Sequence, residues 1–234
     1  MKKENEKFEI VYEGKDMKCF VENLNKNTNY EIRICLVYNN INSNWSEVKK
    51  IKTVEFDSLI LLNSQKCDEF SKKLIEWTGY KNMELLYRGT RDGMSSNEFH
   101  NKCNSKSPNL CLLKCTKGFI FGGYTPISWS GSGNYKSNSS SFLFTLTNIH
   151  NTASMKFPNT NSIYSIYDCS SYGPTFGGGY DITIFYNGNN NSYNYSNFPH
   201  SYQDSLGKGK SIFSGDLNNS RFTLEEIEVF RLFN

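Results

Sequence analysis

Between Phe8 and Thr53 the chain alternates apolar and polar positions in short runs, KFEIVYEG, MKCFVENL, NYEIRICLVYN and SEVKKIKT, which is the two-residue period of antiparallel strands. After Thr53 the period changes. In SLILLNSQKCDEFSKKLIEWTGY the residues Phe70, Leu74 and Trp77 recur at helical spacing, Ser64 can cap and Gly79 can stop, so the pattern predicts a helix over about 64–78. NMELLYRGT predicts a strand over about 82–89, RDG a turn, and Ser95 or Ser96 the cap of a second helix whose Phe99 and Cys103 face the core. From Asn109 onward the strand period returns, with segments expected at 109–116, 118–125, 141–147, 162–168, 180–186, 211–214 and 222–233. The polar stretches at about 127–140 and 187–210 read as long loops. Many strands preceded by two helices predict an α+β sandwich and not a βαβ fold.

Two features of this pattern carry candidate chemistry. The closing run RFTLEEIEVFRLF is too apolar for a free tail, with Phe222, Leu224, Ile227, Val229 and Leu232, so it reads as a core strand. If Ile227 and Val229 face inward, Glu226 and Glu228 share the opposite face, while Glu225 falls with the apolar set near the strand's start. Arg88 and Arg91 flank Gly89 in YRGTRDG and are the natural partners for these carboxylates, with Glu226 and Arg88 the expected pair. The second feature is glycine. In GFIFGGYTPISW, Phe119 and Phe121 point to one face and Ile120 to the other, and Gly122 and Gly123 let the strand bend or a neighbouring backbone approach. Gly177, Gly178 and Gly179 repeat the device in FGGGYDITI, ahead of Ile182 and Ile184. A phosphate cradle would require a helix directly after the glycines, and strand-like residues follow both clusters, so the expected role is structural.

Composition excludes more than it suggests. Lys and Arg exceed Asp and Glu by 26 − 23 = 3, and no segment collects like charges, so there is no electrostatic footprint for nucleic acid. The asparagine-rich runs NNINSN and NGNNNSYNYSN read as loop padding. Seven cysteines without C-x-x-C spacing argue against a disulfide framework or a zinc site, and no other metal-ligand spacing or cofactor motif stands out. The opening MKKENEKFEI has no apolar core of a signal peptide and no run reaches the length of a membrane span, so a cytoplasmic protein without membrane insertion is expected. His100, His150 and His200 read as polar surface residues, since no G-x-S-x-G elbow accompanies them and SGSGN at 130–134 falls in a predicted loop.

Two resemblances organise the chain. LNKNTNYEIRICLVYN places Leu24, Thr28 and Tyr30 before a strand with Ile32, Ile34 and Leu36 on one face. It resembles the tyrosine corner and penultimate strand of a fibronectin type III module, with Trp45 to Thr53 as its last strand. Only about half of such a module is present, over residues 1–53. LLYRGTRDGMSSNEFHNKC, GFIFGGYTPISW, SFLFTLTN, SSYGPTFGGGYDITI and EEIEVFRL then follow one another in the order found in the TLDc domain family, over residues 56–234. That resemblance implies a two-sheet antiparallel β-sandwich flanked by helices. It also implies a non-enzymatic interaction domain, with a protein partner in the peripheral sector of the vacuolar proton-pumping ATPase and a link to oxidative-stress resistance. Where many members carry a His, this chain has Tyr180. Two rival readings are a thiol-dependent oxidant-handling enzyme using an exposed Cys103, Cys111, Cys115 or Cys169, and a peptide- or carbohydrate-binding module using Tyr193, Tyr195, Phe198 and Tyr202.

Overall fold

A computed structural model describes the chain apart from residues 4–5, 11–12, 14–23, 26–27, 40, 53–55 and 187–193. It divides into two compact units, Met1–Phe56 and Asp57–Asn234. Among the described residues no helix is long and apolar enough to cross a membrane.

The N-terminal unit holds a three-stranded antiparallel sheet of Lys2–Lys3, Asn29–Ile32 and Lys49–Lys52, with a small hairpin of Val37–Tyr38 and Ile41–Asn42. Tyr30 is buried, and its hydroxyl accepts the backbone N–H of Asn25 at 2.9 Å, the kind of link that a tyrosine corner makes. The strand is shorter than expected. Ser46 and Ser43 hydroxyls take the N–H groups of Ile34 and Leu36, which interrupts the ladder and leaves both side chains exposed. Cys19 and most of the expected strand MKCFVENL lie outside the described residues.

The C-terminal unit opens with α1 (Leu59–Leu62), α2 (Cys67–Thr78), β1 (Asn82–Arg88), α3 (Gly89–Asp92) and α4 (Ser96–Cys103). It continues through β2 (Asn109–Cys115), β3 (Ile120–Thr125), β4 (Ser132–Lys136), β5 (Phe142–Thr145), β6 (Met155–Pro158), β7 (Ile166–Cys169) and β8 (Thr175–Phe176). It ends with β9 (Ile182–Thr183), β10 (Asn194–Tyr195), α5 (Ser211–Ser214), β11 (Arg221–Phe222) and β12 (Leu224–Phe233). Local signals explain the helix ends. Gly79 takes a left-handed φ of 75° and its N–H closes α2 on the Ile75 carbonyl, while Ser95 Oγ accepts the Glu98 N–H to start α4. The start of α2 lies at Cys67 and not at Ser64, with Asp68 and Glu69 in its first turn facing the helix dipole.

The strands form two six-stranded sheets, with every pairing antiparallel. The first runs β6-β5-β3-β2-β12-β1 and the second β11-β10-β9-β8-β7-β4. This is the α+β sandwich with flanking helices. Its core lies between the sheets, where Phe121, Leu143, Ile227 and Val229 of the first meet Ile166, Phe176 and Ile182 of the second. Gly123 marks the tightest approach, since a Cβ there would come within 2.6 Å of the Phe176 ring from the opposite sheet. On the outer side of the first sheet, α2 buries Phe70 and Leu74 and sets the Trp77 ring 6.0 Å from Phe144. Several expectations fail. SIFS at 211–214 is a helix, because two adjacent buried residues, Ile212 and Phe213, carry no period to distinguish the states. The expected loops at 127–140 and 187–210 contain β4 and β10, and Ser162–Tyr164, expected to open a strand, forms a 3-10 turn.

Candidate functional site

Antiparallel pairing sets Arg88 directly opposite Glu228, two residues further along the strand than the Glu226 that the sequence suggested. Arg88 Nε donates to Glu228 Oε1 at 2.8 Å. Glu228 is fully buried and also accepts from Ser58 Oγ at 2.5 Å and from the Leu59 N–H at 2.8 Å. Arg88 Nη2 reaches the backbone and carboxylate oxygens of Asp57 at 2.9 and 3.0 Å. The group therefore clasps the first turn of α1 to the last strand. Burial pushes the Glu228 pKa up, and the Ser58, Leu59 and Arg88 donors oppose it.

The other carboxylates have separate tasks. Glu226 accepts from the backbone N–H and the hydroxyl of Thr90, which anchors α3. A bulge between Leu224 and Glu226 returns Leu224 to the core and turns Glu225 out to solvent, where Lys114 Nζ meets it at 2.6 Å; this corrects the inward placement expected for Glu225. Arg91 is half-exposed and pairs with its neighbour Asp92 at 2.8 Å, not with the closing strand. At Gly89 a side chain would strike Met94 and Ile227, so the backbone lies close over the strand.

Each glycine of the two clusters faces a particular neighbour. A Cβ at Gly122 would run into the Cys111 carbonyl of the adjacent strand. Gly177 has φ 85° and lies against the Asp181 carboxylate, Gly178 against the Tyr164 ring and Gly179 against the His200 imidazole. Asp181 is buried and accepts the N–H groups of His200 and Ser201 at 2.6 and 2.9 Å, with burial raising its pKa and these bonds lowering it. Asp168, also buried, is held by Lys136 Nζ at 2.8 Å, by Ser130 Oγ at 2.6 Å and by the Gly131 N–H at 2.9 Å. Its pKa lies well below the ordinary carboxyl range, because these donors outweigh the opposing, and individually largest, effect of burial. The SGSGN stretch, expected as a plain loop, is thus a cradle filled by the protein's own carboxylate.

Sequence reasoning missed a third feature. Cross-strand partners place Tyr135 and Tyr167 in one outward row of the second sheet, and Thr175, Thr183, Tyr195 and Arg221 in its continuation, while Ile166, Phe176 and Ile182 form the inward row. Tyr164, Tyr172 and Tyr180 fold over this outward face from the connections. Their rings form a continuous layer: Tyr135 lies 5.0 Å from Tyr164 and 4.8 Å from Tyr167, and Tyr180 lies 5.6 Å from Tyr167 and 6.1 Å from both Tyr172 and Tyr195. Tyr180 holds φ 61°, a left-handed conformation unusual for a bulky residue. Burial within the layer raises the phenol pKa of Tyr167, Tyr180 and Tyr195, so the hydroxyls stay neutral. Thr175 and Thr183 beneath are fully buried, yet Tyr135 and Tyr164 keep 37% exposure.

The aromatics expected to form a loop patch behave differently. Phe198 and Tyr202 are core residues, Tyr195 belongs to the tyrosine layer, and Tyr193 lies outside the described residues. His100 is not at the surface: it is buried, with ring nitrogens 2.8 Å from Asn104 Oδ1 and 3.0 Å from the Cys169 carbonyl. His150 Nε2 meets Ser211 Oγ at 2.8 Å, and His200 is exposed. Cys103, Cys111 and Cys115 are buried and Cys169 half-buried, and burial pushes the Cys103 and Cys111 thiols up, away from a reactive thiolate.

A sandwich of two six-stranded sheets, closed by an acidic C-terminal strand and pinched by glycine clusters, defines the class. Residues 56–233 match the TLDc domain, and the chain belongs to that family. Among curated proteins it is similar to the MTOR-associated protein MEAK7 of Danio rerio, 34% identical over 62 residues. That match covers 26% of this chain and 14% of the MEAK7 chain.

Proposed function

We propose that this chain works by binding another protein, that its candidate partner is the peripheral sector of the vacuolar proton-pumping ATPase, and that it acts on that pump's assembly or activity. The observation that carries the reading is the match of nearly all of the C-terminal unit to the TLDc domain. The geometry agrees with a binding role. The acidic groups of the closing strand are engaged in holding elements together, and the thiols with shifted pKa values are shifted away from reactivity. A link to oxidative-stress resistance, located in the cytoplasm, would then run through the partner and not through a cysteine of this chain.

The test is direct. The full chain, immobilised, is challenged with purified peripheral sector, and ATP hydrolysis by the assembled pump is followed with and without the chain. Retention together with a dose-dependent change in hydrolysis is expected. Passage of the sector through a folded column would overturn the reading. MTOR belongs on the same column as a second candidate, since the similar zebrafish protein is named for that association.

A further inference from the structure

We infer that the tyrosine layer on the outer face of the second sheet is the docking surface, and that it takes an uncharged extended segment of a partner protein. The inference rests on the binding role proposed above and adds the surface and the chemistry of what it recognises. The two sheets differ in cover. The first is overlaid by α2, whereas the outward row of the second carries half-exposed rings. Tyrosine in such a position supplies rigid contact area with few rotors to freeze, and its hydroxyl still bonds to a partner. Tyr135 and Tyr164 meet at 87°, a floor and a wall, with Tyr135 OH fixed on the Gly178 carbonyl at 3.0 Å. The connections that carry the other rings of the layer expose Ser162, Ser171 and Asn197, and Ile163 at 63% exposure. Tyrosine mixed with Ser, Gly and Asn is the composition that antibody loops use to grip protein surfaces.

Charge decides the occupant. In the outward row the only charged side chain among the described residues is Arg221, at the far edge, and the phenols remain protonated. A charged group pressed on this face away from that edge would lose water without gaining a counter-charge, so charged segments are rejected and neutral ones accepted. Tyr180 has a specific part. Its left-handed backbone turns the ring into contact with Tyr167, Tyr172 and Tyr195 together, joining the two halves of the layer.

The experiment uses the full chain, a Tyr135→Ser/Tyr164→Ser variant that alters only the most exposed rings, and Tyr180→Asn, which suits the left-handed backbone and deletes the ring. A phage-displayed library of random dodecapeptides is selected on the wild type. Enriched peptides should be poor in Asp, Glu, Lys and Arg, should bind either variant about tenfold more weakly, and should change affinity less than about twofold between low and high salt. The assignment is overturned if no peptide is enriched, if enriched peptides are charged and salt-sensitive, or if the variants bind them as well as the wild type. It is also overturned if the variants instead abolish a dimer seen by sedimentation, or retardation in gels containing laminarin or glycogen, since the face would then serve self-association or a neutral glycan. Running the purified peripheral sector alongside separates the two proposals. Peptides bound but sector lost removes the pump and leaves the face, whereas sector retained equally by both variants removes the face and leaves the pump.

Discussion

Replacing Arg88 by Met tests whether the clasp on the closing strand holds the fold. The substitution keeps an unbranched stem but leaves Glu228, with no exposure, facing only Ser58 Oγ and the Leu59 N–H. Breaking a buried pair by removing one partner costs about 3–5 kcal/mol. At about 2–4 °C per kcal/mol for a domain of this size, the melting temperature should fall by about 10 °C. The pH dependence gives a second handle with a definite sign. Glu228 has a folded pKa above its ordinary value, so its contribution favours folding when protonated and is lost as pH rises through the folded pKa. Without Arg88 that pKa rises further. The penalty of Arg88→Met should therefore be largest at neutral pH and shrink toward about pH 5, as the carboxyl takes up its proton. Urea unfolding at both pH values, followed by tryptophan fluorescence, measures it. The double variant Arg88→Met/Glu228→Leu should be less destabilised than the sum of the singles by about 2 kcal/mol. A cost below about 1 kcal/mol, a cost independent of pH, or simple additivity would refute the clasp.

Other consequences can be checked with the same protein. Gly122→Val should destabilise by about 3 kcal/mol or more in a urea melt, because its Cβ meets the backbone carbonyl of Cys111 and not a movable side chain. Asp168→Asn should cost about 2 kcal/mol at neutral pH; since the Asp168 pKa is depressed, the wild-type advantage should vanish as pH falls through that value in acid, as paired melts would show. In native protein near pH 8, Cys103 and Cys111 should resist a disulfide-exchange thiol reagent and react only in denaturant, as peptide mapping of the labelled sites would show. A fragment starting at Ser64 should melt well below one starting at Phe56, because it lacks Asp57, Ser58 and Leu59, which meet Arg88 and Glu228.

What was legible in the chain was what local physics determines. Gly79 and Ser95 mark helix ends through bonds made within one turn, so the stop at Gly79 could be read directly and the cap narrowed to Ser95 or its neighbour Ser96. The alternation around Ile227 and Val229 correctly placed Glu226 and Glu228 together on the opposite face. Their partners could not be read, because register is a property of two strands. The Arg88–Glu228 pairing joins residues far apart in sequence, and one bulge is enough to turn Glu225 out. The tyrosine layer was hidden for a related reason. Its rings come from positions between 135 and 195, and only the cross-strand row and the connections folded over it bring them together. Two tyrosines three residues apart in SIYSIYD, Tyr164 and Tyr167, were the available signal, and the stretch was read simply as a strand.

The place of β12, between β2 and β1, has a consequence for how the domain is made. Its residues are the last of the domain to leave the ribosome, yet they fill the interior of the first sheet, beside strands that emerged more than a hundred residues earlier. Until Leu224–Phe233 clears the exit tunnel, β1 and β2 lack their shared neighbour, and Arg88 waits without Glu228. The nascent domain should therefore stay protease-sensitive until its last strand has emerged and then close at once. A premature stop that removes only this final strand would forfeit the whole sheet, which limited proteolysis of arrested ribosome complexes can test.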